Sequence, residues 1–193
     1  MKKHLLFLLI IMFYGCTESN LAFHPRLNPS NGTLELVQAF GGSKNDVAKS
    51  VVSTADGGFA VLGYTQSLDG DITDKATEDY DFWMLKFNSE AQLEWNKTYG
   101  GSGDDRGSSL IETSDGGYAL LGYSDSSDGD VSFNNGNRDF WLVKINASGV
   151  LSWEKSFGYE GVDEGVSIIE TSDNHLMLSG VLDVTASGGE GNQ

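Results

Sequence analysis

An all-β fold built from repeated antiparallel sheets is predicted by three observations in the sequence. One unit occurs twice and begins a third time, at a spacing of 58 to 59 residues. Each copy contains four short runs of strand-forming residues. Glycine-rich turns separate these runs. A repeat of this length indicates supersecondary units that stack on one another and share a core.

The repeated unit is recognised by motifs that return in the same order. Its opening, Phe40-Gly41-Gly42-Ser43, returns as Tyr99-Gly100-Gly101-Ser102, and a third copy opens at Phe157-Gly158. The other matching segments are 54–64 and 113–123, 81–86 and 139–144, and 93–97 and 151–155. The two full copies therefore predict two sheets of the same construction.

Each copy is expected to be a four-stranded meander. In the second copy the strands are expected at about 108–113, 118–124, 140–146 and 151–157. Short turns join the first strand to the second and the third to the fourth. Gly57 and Gly58 in the first copy, and Gly116 and Gly117 in the second, are expected at hairpin positions where at least one residue of each pair takes positive φ.

Both faces of each sheet are expected to be covered, because runs such as Phe140-Trp141-Leu142-Val143 are apolar at every position. A row of such sheets packed face to face is a β-propeller. The sequence divides into a closing strand at 34–40, blades at 41–99 and 100–157, and a half blade at 158–193. Because a ring typically needs about four to eight blades, we expect an open arc from a truncated chain. Assembly of several copies into a ring is the alternative.

Two motifs resemble known propeller families. Residues 88–95 and 146–153 resemble the tryptophan-docking motif of quinoprotein-type propellers, in which a turn glycine precedes a tryptophan that wedges between blades. The first copy has Ala91 in place of that glycine. The whole unit, over residues 34–193, resembles Kelch-like repeats of about 58 residues in surface lipoproteins of Bacteroidetes-type bacteria. This resemblance implies a propeller and carries no agreed activity.

The first fifteen residues have the form of a secretory signal peptide. Two lysines precede an apolar run at 5–13, which is too short for a membrane-spanning helix. Cys16, the only cysteine, follows Gly15 in a context that resembles the lipobox of bacterial lipoproteins. The resemblance implies cleavage before Cys16 and its acylation, and an ordinary signal peptide or an uncleaved anchor are the alternatives. Residues 16–33, which contain both prolines, are expected to form a flexible tether.

The acidic composition limits the classes of partner. The formal net charge is −16, and removal of the two lysines of residues 1–15 makes it −18. We expect no nucleic-acid partner, since binding nucleic acid requires clustered cations that neutralise phosphates. The expected address is the cell envelope, as an outer-membrane or cell-surface lipoprotein held in the membrane by N-terminal acyl groups.

The acids are expected to gather at one end of the sheets. In a meander the connections alternate between the two ends, so the loops 67–81 and 126–139 join the crossovers 41–46 and 100–105 at the end opposite the tight turns. We call this end the loop rim. Its acids are Asp46, Asp69, Asp71, Asp74, Glu78, Asp79, Asp81, Asp104, Asp105, Asp128, Asp130 and Asp139. Clustered carboxylates are oxygen ligands of the kind that calcium prefers.

Two short motifs on the loop rim are candidate calcium loops. Asp69-Gly70-Asp71 and Asp128-Gly129-Asp130 have the alternating spacing of an oxygen-ligand loop. Asp69, Asp71, Asp128 and Asp130 are therefore candidate ligands. The EF-hand pattern is not met, because Asp74 or Phe133 stands at the sixth position, where that pattern needs glycine. The favoured interpretation is that these aspartates form turns and accept hydrogen bonds from nearby backbone amides.

The sequence gives no support for catalysis. His4, His24 and His175 are far apart in the repeat pattern, and Gly-x-Ser-x-Gly does not occur. We expect no enzyme activity and no cofactor, and calcium is the one candidate ligand. The predicted function is an exported, lipid-anchored interaction module whose loops contact a protein or a glycan. The alternative is a structural fragment of a longer propeller with no ligand of its own.

Overall fold

The structure is a computed structural model that describes residues 26–28, 33–35 and 38–183. The expected signal peptide and Cys16 lie outside the described residues. The described part is all-β, as the sequence predicts, with twelve strands and no helix. It accordingly includes no helix of the length and apolarity that crossing a bilayer requires.

The strands fall into four antiparallel sheets. Their bounds are β1 Arg26–Asn28, β2 Thr33–Glu35, β3 Asp46–Ser53, β4 Phe59–Thr65, β5 Asp81–Phe87, β6 Leu93–Tyr99, β7 Asp105–Glu112, β8 Tyr118–Ser124, β9 Asp139–Ile145, β10 Leu151–Phe157, β11 Glu164–Glu170 and β12 Leu176–Val181. Strands β3 to β6 form the first sheet and β7 to β10 the second, each in sequence order. Strands β11 and β12 form the third sheet, and β1 and β2 form a separate N-terminal hairpin.

The same irregularity occurs in the first hairpin of each sheet. The register between the first two strands shifts between Ala48 and Ser50, between Gly107 and Ser109, and between Gly165 and Ser167. Such bulges bend a strand and increase its local twist. The three repeats therefore match in backbone geometry as well as in sequence.

The sheets pack through three apolar clusters. The middle strands β5 and β9 are buried at every position, because each has a strand on both sides and covered faces. One cluster joins the first and second sheets through residues such as Leu62, Met84, Leu110 and Val143. Another joins the second sheet to the third, and a third cluster covers the other face of the first sheet. The core is thus a series of layers between stacked sheets.

The segment before the first sheet differs from the expected closing strand at 34–40. Thr33–Glu35 pairs with Arg26–Asn28, and residues 38–40 lie outside any strand. A two-stranded hairpin therefore occupies part of the segment expected to form a tether. Phe40, which follows it, packs edge-on against Phe87 of the first sheet with ring centroids 5.1 Å apart.

The turn glycines divide into two roles. Gly57 and Gly116 have φ of 87° and 79°, so one glycine of each pair has the positive φ that the turn requires. In the third copy Asn174 takes this position with φ of 65°. Gly58 and Gly117 are needed for space instead, since a side chain at Gly117 would meet the carbonyl oxygen of Ile145.

Candidate functional site

The loop rim is held together by its own aspartates. Each of the four candidate calcium ligands accepts a hydrogen bond from a backbone amide of the crossover in the same repeat. The pairs are Gly41 N to Asp71 Oδ2 at 2.9 Å, Ser43 N to Asp69 Oδ1 at 2.7 Å, Gly100 N to Asp130 Oδ2 at 3.2 Å and Ser102 N to Asp128 Oδ1 at 2.7 Å. The alternating spacing lets the two carboxylates of one loop reach two amides of the facing crossover.

These bonds join each of the four aspartates to the crossover of its own repeat. Within residues 38–183, no three His, Cys, Asp or Glu side chains converge as a metal cluster requires. The glycine between each pair of aspartates has positive φ, with Gly70 at 69° and Gly129 at 64°. The geometry is that of a turn that docks on the crossover, which is the role the sequence favoured for these carboxylates.

A second set of aspartates lies deeper and repeats in all three sheets. Asp46, Asp105 and Asp163 each accept a hydrogen bond from the backbone amide four residues before them, at 2.7, 2.7 and 2.6 Å. Asp105 also accepts a hydrogen bond from Ser126 Oγ at 2.8 Å and has no exposed surface. These carboxylates fix the crossover to the start of the first strand of each sheet.

The buried aspartates form pairs across the boundary between sheets. Asp81 begins β5 of the first sheet and Asp105 begins β7 of the second, and their carboxylates flank Gly100. A Cβ atom at Gly100 would lie 2.5 Å from Asp81 Oδ1 and 2.6 Å from Asp105 Oδ2. Gly158 stands in the same way between Asp139 and Asp163. The glycine after each sheet is therefore needed because the two carboxylates leave no room for a side chain, and not because of its φ angle.

Burial changes the acidity of these groups. Loss of solvent raises the pKa of Asp81 to about 7, although the ammonium of Lys75, 2.9 Å away, opposes the rise. Burial raises the pKa of Asp105 to about 6 against hydrogen bonds from Ser124, Gly101 and Ser126. Oδ1 of Asp81 is buried without a hydrogen-bond partner. The pair is thus easier to protonate than exposed aspartates.

The two long loops bind the matching carboxylates Asp81 and Asp139 with different groups. In the first sheet, the buried ammonium of Lys75 binds both Asp79 and Asp81 at 2.9 Å. In the second sheet, Asn135 instead donates its backbone N–H to Asp139 Oδ2 at 2.7 Å. Burial again raises the pKa of Asp139. The buried carboxylate occurs in both repeats, but a lysine ammonium binds it in the first and a backbone N–H binds it in the second.

A half-exposed surface of tyrosine and arginine lies beside these acids and was not foreseen from the sequence. The guanidinium of Arg106 is 4.0 Å from the ring centroid of Tyr80 and 5.2 Å from that of Tyr64. In the next repeat, the guanidinium of Arg138 is 4.5 Å from the ring of Tyr123. We call these five residues the tyrosine–arginine surface. Its signal is weak in sequence because Tyr80 and Arg106 are separated by two whole strands, β5 and β6, and a crossover.

At the opposite end of the sheets, a lysine in each repeat has a structural environment. Lys86 is buried, and its Nζ donates to Asp56 at 2.7 Å, Glu94 at 2.8 Å and the Phe87 carbonyl at 2.9 Å. The hydrogen bond from Lys86 holds the pKa of Asp56 well below its usual range. Lys144 pairs with Asp115 in the same way, at 3.0 Å. Each lysine is thus paired with at least one carboxylate and one backbone carbonyl.

The four tryptophans differ in exposure according to their place in the series of sheets. Trp83 and Trp141 are fully buried on the central strands. Trp95 is half-buried and meets the ring of Tyr118 in the second sheet at 6.3 Å. Trp153, the matching residue one repeat later, is exposed. Trp95 therefore packs against the apolar cluster between the first two sheets.

Comparisons with known proteins add no identity. No family model matches the chain, and no curated protein matches it.

Proposed function

We propose that the chain is an exported, lipid-anchored and non-catalytic interaction module. In a single copy its sheets are successive blades of an open propeller arc, and its loop rim contacts a protein or a glycan. The proposal is supported by the stacking of the sheets in sequence order and by the repeated bonding of loops to crossovers. A rim of this kind holds surface side chains on a rigid frame.

The tyrosine–arginine surface is the observation that carries this proposal. Tyrosine and arginine are the residues most enriched in the energetic centres of interfaces, and aromatic rings also stack on sugars. Arg106 is fixed from both sides, by the rings of Tyr64 and Tyr80 and by an ion pair with Asp104 at 2.7 Å. A partner would therefore meet side chains that lose little conformational freedom on binding.

The raised pKa values on the loop rim favour a structural role over a catalytic one. A general acid or base must reach the proton that it transfers. Asp81 is only 7% exposed and Asp105 is fully buried, and the backbone of Gly100 lies between them. These carboxyls have the acidity of catalytic groups without access to a substrate.

The alternative is a structural fragment of a longer propeller with no ligand of its own. One observation favours this alternative. The loop aspartates accept hydrogen bonds from the crossovers, so these carboxylates are already engaged within the protein. The two proposals differ in what the tyrosine–arginine surface does.

The experiment that separates them is a binding screen with the full chain on glycan arrays and with immobilised envelope proteins. The double variant Tyr80→Ala with Arg106→Gln should abolish any binding that the wild-type chain shows. Glu90→Ala, in an exposed turn at the opposite end of the first sheet, is the matched control and should bind normally. Equal binding by the double variant, or no binding by the wild type, would contradict the proposed surface and support the fragment.

A further inference from the structure

The N-terminal hairpin matches the second half of a repeat. Arg26-Leu27-Asn28 in β1 corresponds to Lys86-Phe87-Asn88 and to Lys144-Ile145-Asn146, the ends of the third strands and the start of their turns. In β2, Leu34-Glu35 corresponds to Leu93-Glu94 at the start of a fourth strand. The antiparallel pairing of Arg26 with Glu35 and of Asn28 with Thr33 sets β1 against β2 as a third strand lies against a fourth. The register differs by one residue at Arg26, since Lys86 pairs with Trp95.

Phe40 places this half repeat before the first sheet. It corresponds to Tyr99, the last residue of the first sheet, which packs with Leu110 and Tyr118 of the second. Phe40 packs in the same manner with Phe59 and Phe87 of the first sheet. The hairpin β1–β2 therefore stands in sequence for the third and fourth strands of a preceding sheet.

The third sheet contains the complementary half. Strands β11 and β12 correspond to the first two strands of a repeat, and among the described strands β12 pairs with β11 alone. Beside β12 lies a groove whose lining includes Leu142, Trp153, Phe157 and Leu176. Phe157 is exposed there, whereas the matching Tyr99 is buried between two sheets. The groove occupies the place that the third and fourth strands hold in the second sheet.

The exposed apolar residues at the two ends of the series are complementary. Val51 in the first sheet is 54% exposed, whereas its counterpart Leu110 is 2% exposed because the preceding sheet covers it. Met177 in the third sheet is 56% exposed, whereas its counterpart Ala119 is fully buried because the following sheet covers it. The exposed face of the first sheet and that of the third sheet are therefore each of the kind that a neighbouring sheet covers within the series.

We propose that two copies of this chain pair head to tail, so that β1–β2 of one copy completes the sheet begun by β11–β12 of the other. The described strands then make three four-stranded sheets per copy. Two copies supply six sheets, a number within the range of about four to eight that closed propellers use. Each completed sheet would cover the second sheet of one copy and the first sheet of the other, as every internal boundary already does.

The second copy is favoured as occupant because the sequence of the hairpin is that of the missing strands. The expected register follows from the second sheet, where Lys144 of the third strand stands opposite Ala119 of the second. Arg26 corresponds to Lys144 and Met177 to Ala119. Arg26 of one copy should therefore stand opposite Met177 of the other.

The first experiment measures the mass of the full chain in detergent by light scattering at about tens of micromolar. We expect the mass of two chains. Trp153→Glu combined with Phe157→Asp places two charges in the groove and should give one chain, since a buried unpaired charge is costly. Phe133→Asp, at a more exposed apolar residue on the loop rim, is the control and should remain dimeric.

The second experiment tests the register with cysteines in a Cys16→Ser background. Arg26→Cys with Met177→Cys should form dimers that are linked by disulfides on oxidation, whereas Arg26→Cys with Phe133→Cys should not. A wild-type mass of one chain would overturn the proposal. So would an Arg26–Met177 disulfide formed within a single chain, because the hairpin would then complete its own third sheet. Neither result bears on the tyrosine–arginine surface, which is tested by binding.

Discussion

Asp81 and Asp105 belong to successive sheets, yet a carboxylate oxygen of each lies close against Gly100. A methyl group on Gly100 would fall within 2.6 Å of an oxygen atom from each. Neither carboxylate can retreat, because Asp81 is paired with the buried Lys75 and Asp105 is held by Gly101 and Ser126.

Gly100→Ala should therefore be strongly destabilising. The new methyl group overlaps two buried oxygens, and overpacking of this kind costs about 1–3 kcal/mol. We expect a loss of about 2 kcal/mol or more in the free energy of unfolding, measured by urea denaturation. An unchanged denaturation midpoint would show that the two carboxylates separate freely, contrary to the geometry described.

The two glycines of one turn should respond differently to alanine. Gly116 has φ of 79° with open space around it, so Gly116→Ala should cost about 1 kcal/mol from backbone strain alone. At Gly117 a new Cβ meets the Ile145 carbonyl and lies 2.5 Å from Lys144 Nζ, so Gly117→Ala should cost clearly more. Thermal melts of the two variants measure the difference. Equal losses of stability would show that the two glycines do not differ in role as described.

Stability should rise as the pH falls from about 8 to 5. Asp105 has a pKa of about 6 in the folded chain against an ordinary value of 3.8, so the folded state binds the proton more tightly. This contribution is complete below the ordinary pKa and is lost as the pH rises through about 6. The full contribution amounts to about 3 kcal/mol for a buried group. Asp81, with a pKa of about 7, acts in the same direction.

The variant that tests this dependence is Asp105→Asn, which cannot titrate. The difference in melting temperature between pH 5 and pH 8 should become smaller than in the wild type. Glu90→Gln, at an exposed turn, controls for the loss of one negative charge. An identical pH dependence in Asp105→Asn and wild type would show that Asp105 is not the titrating group.

The aspartates of the loop rim should stabilise their loops without calcium. Asp128→Ala removes the acceptor for Ser102 N and should cost about 1 kcal/mol. Calcium at millimolar concentration should leave the melting temperature of both proteins unchanged, since only a ligand bound by the folded state raises it. A calcium-dependent rise that disappears in Asp128→Ala would make the loop a cation site.

Membrane attachment should depend on Cys16. We expect Cys16→Ser to release the protein from the membrane fraction and to abolish labelling by a palmitate analogue, because acyl chains supply affinity that an acidic domain lacks. Thr17→Ser, at the residue next to the cysteine, is the matched control and should leave labelling and fractionation unchanged. Retention of label and fractionation in Cys16→Ser would exclude the lipoprotein hypothesis.

The repeated sheets could be predicted because their signals are local. Strand-forming runs such as Tyr118–Ser124 and Leu151–Phe157 coincide with the strands expected there, and the turn glycines mark the intervening hairpins. The N-terminal hairpin was missed because Pro25 and Pro29 flank β1, and prolines at this density are typical of a tether.

The arrangement of the loop rim could be predicted only in part. The sequence places the acids at one end, and the structure does so too. Their division into amide-bonded loop carboxylates and buried pairs depends on which crossover faces which loop. That information is spread over separations such as the 24 residues between Asp81 and Asp105, and no local pattern encodes it.

The contacts around Gly100 also bear on how such a chain changes length over generations. Asp81, Gly100 and Asp105 recur as Asp139, Gly158 and Asp163, so each boundary is made from the same parts. Excision of residues 41–99 would join Phe40 to Gly100 and restore the junction that Tyr99 makes there. Unequal recombination can therefore add or remove whole sheets in this gene without the need to evolve a new interface.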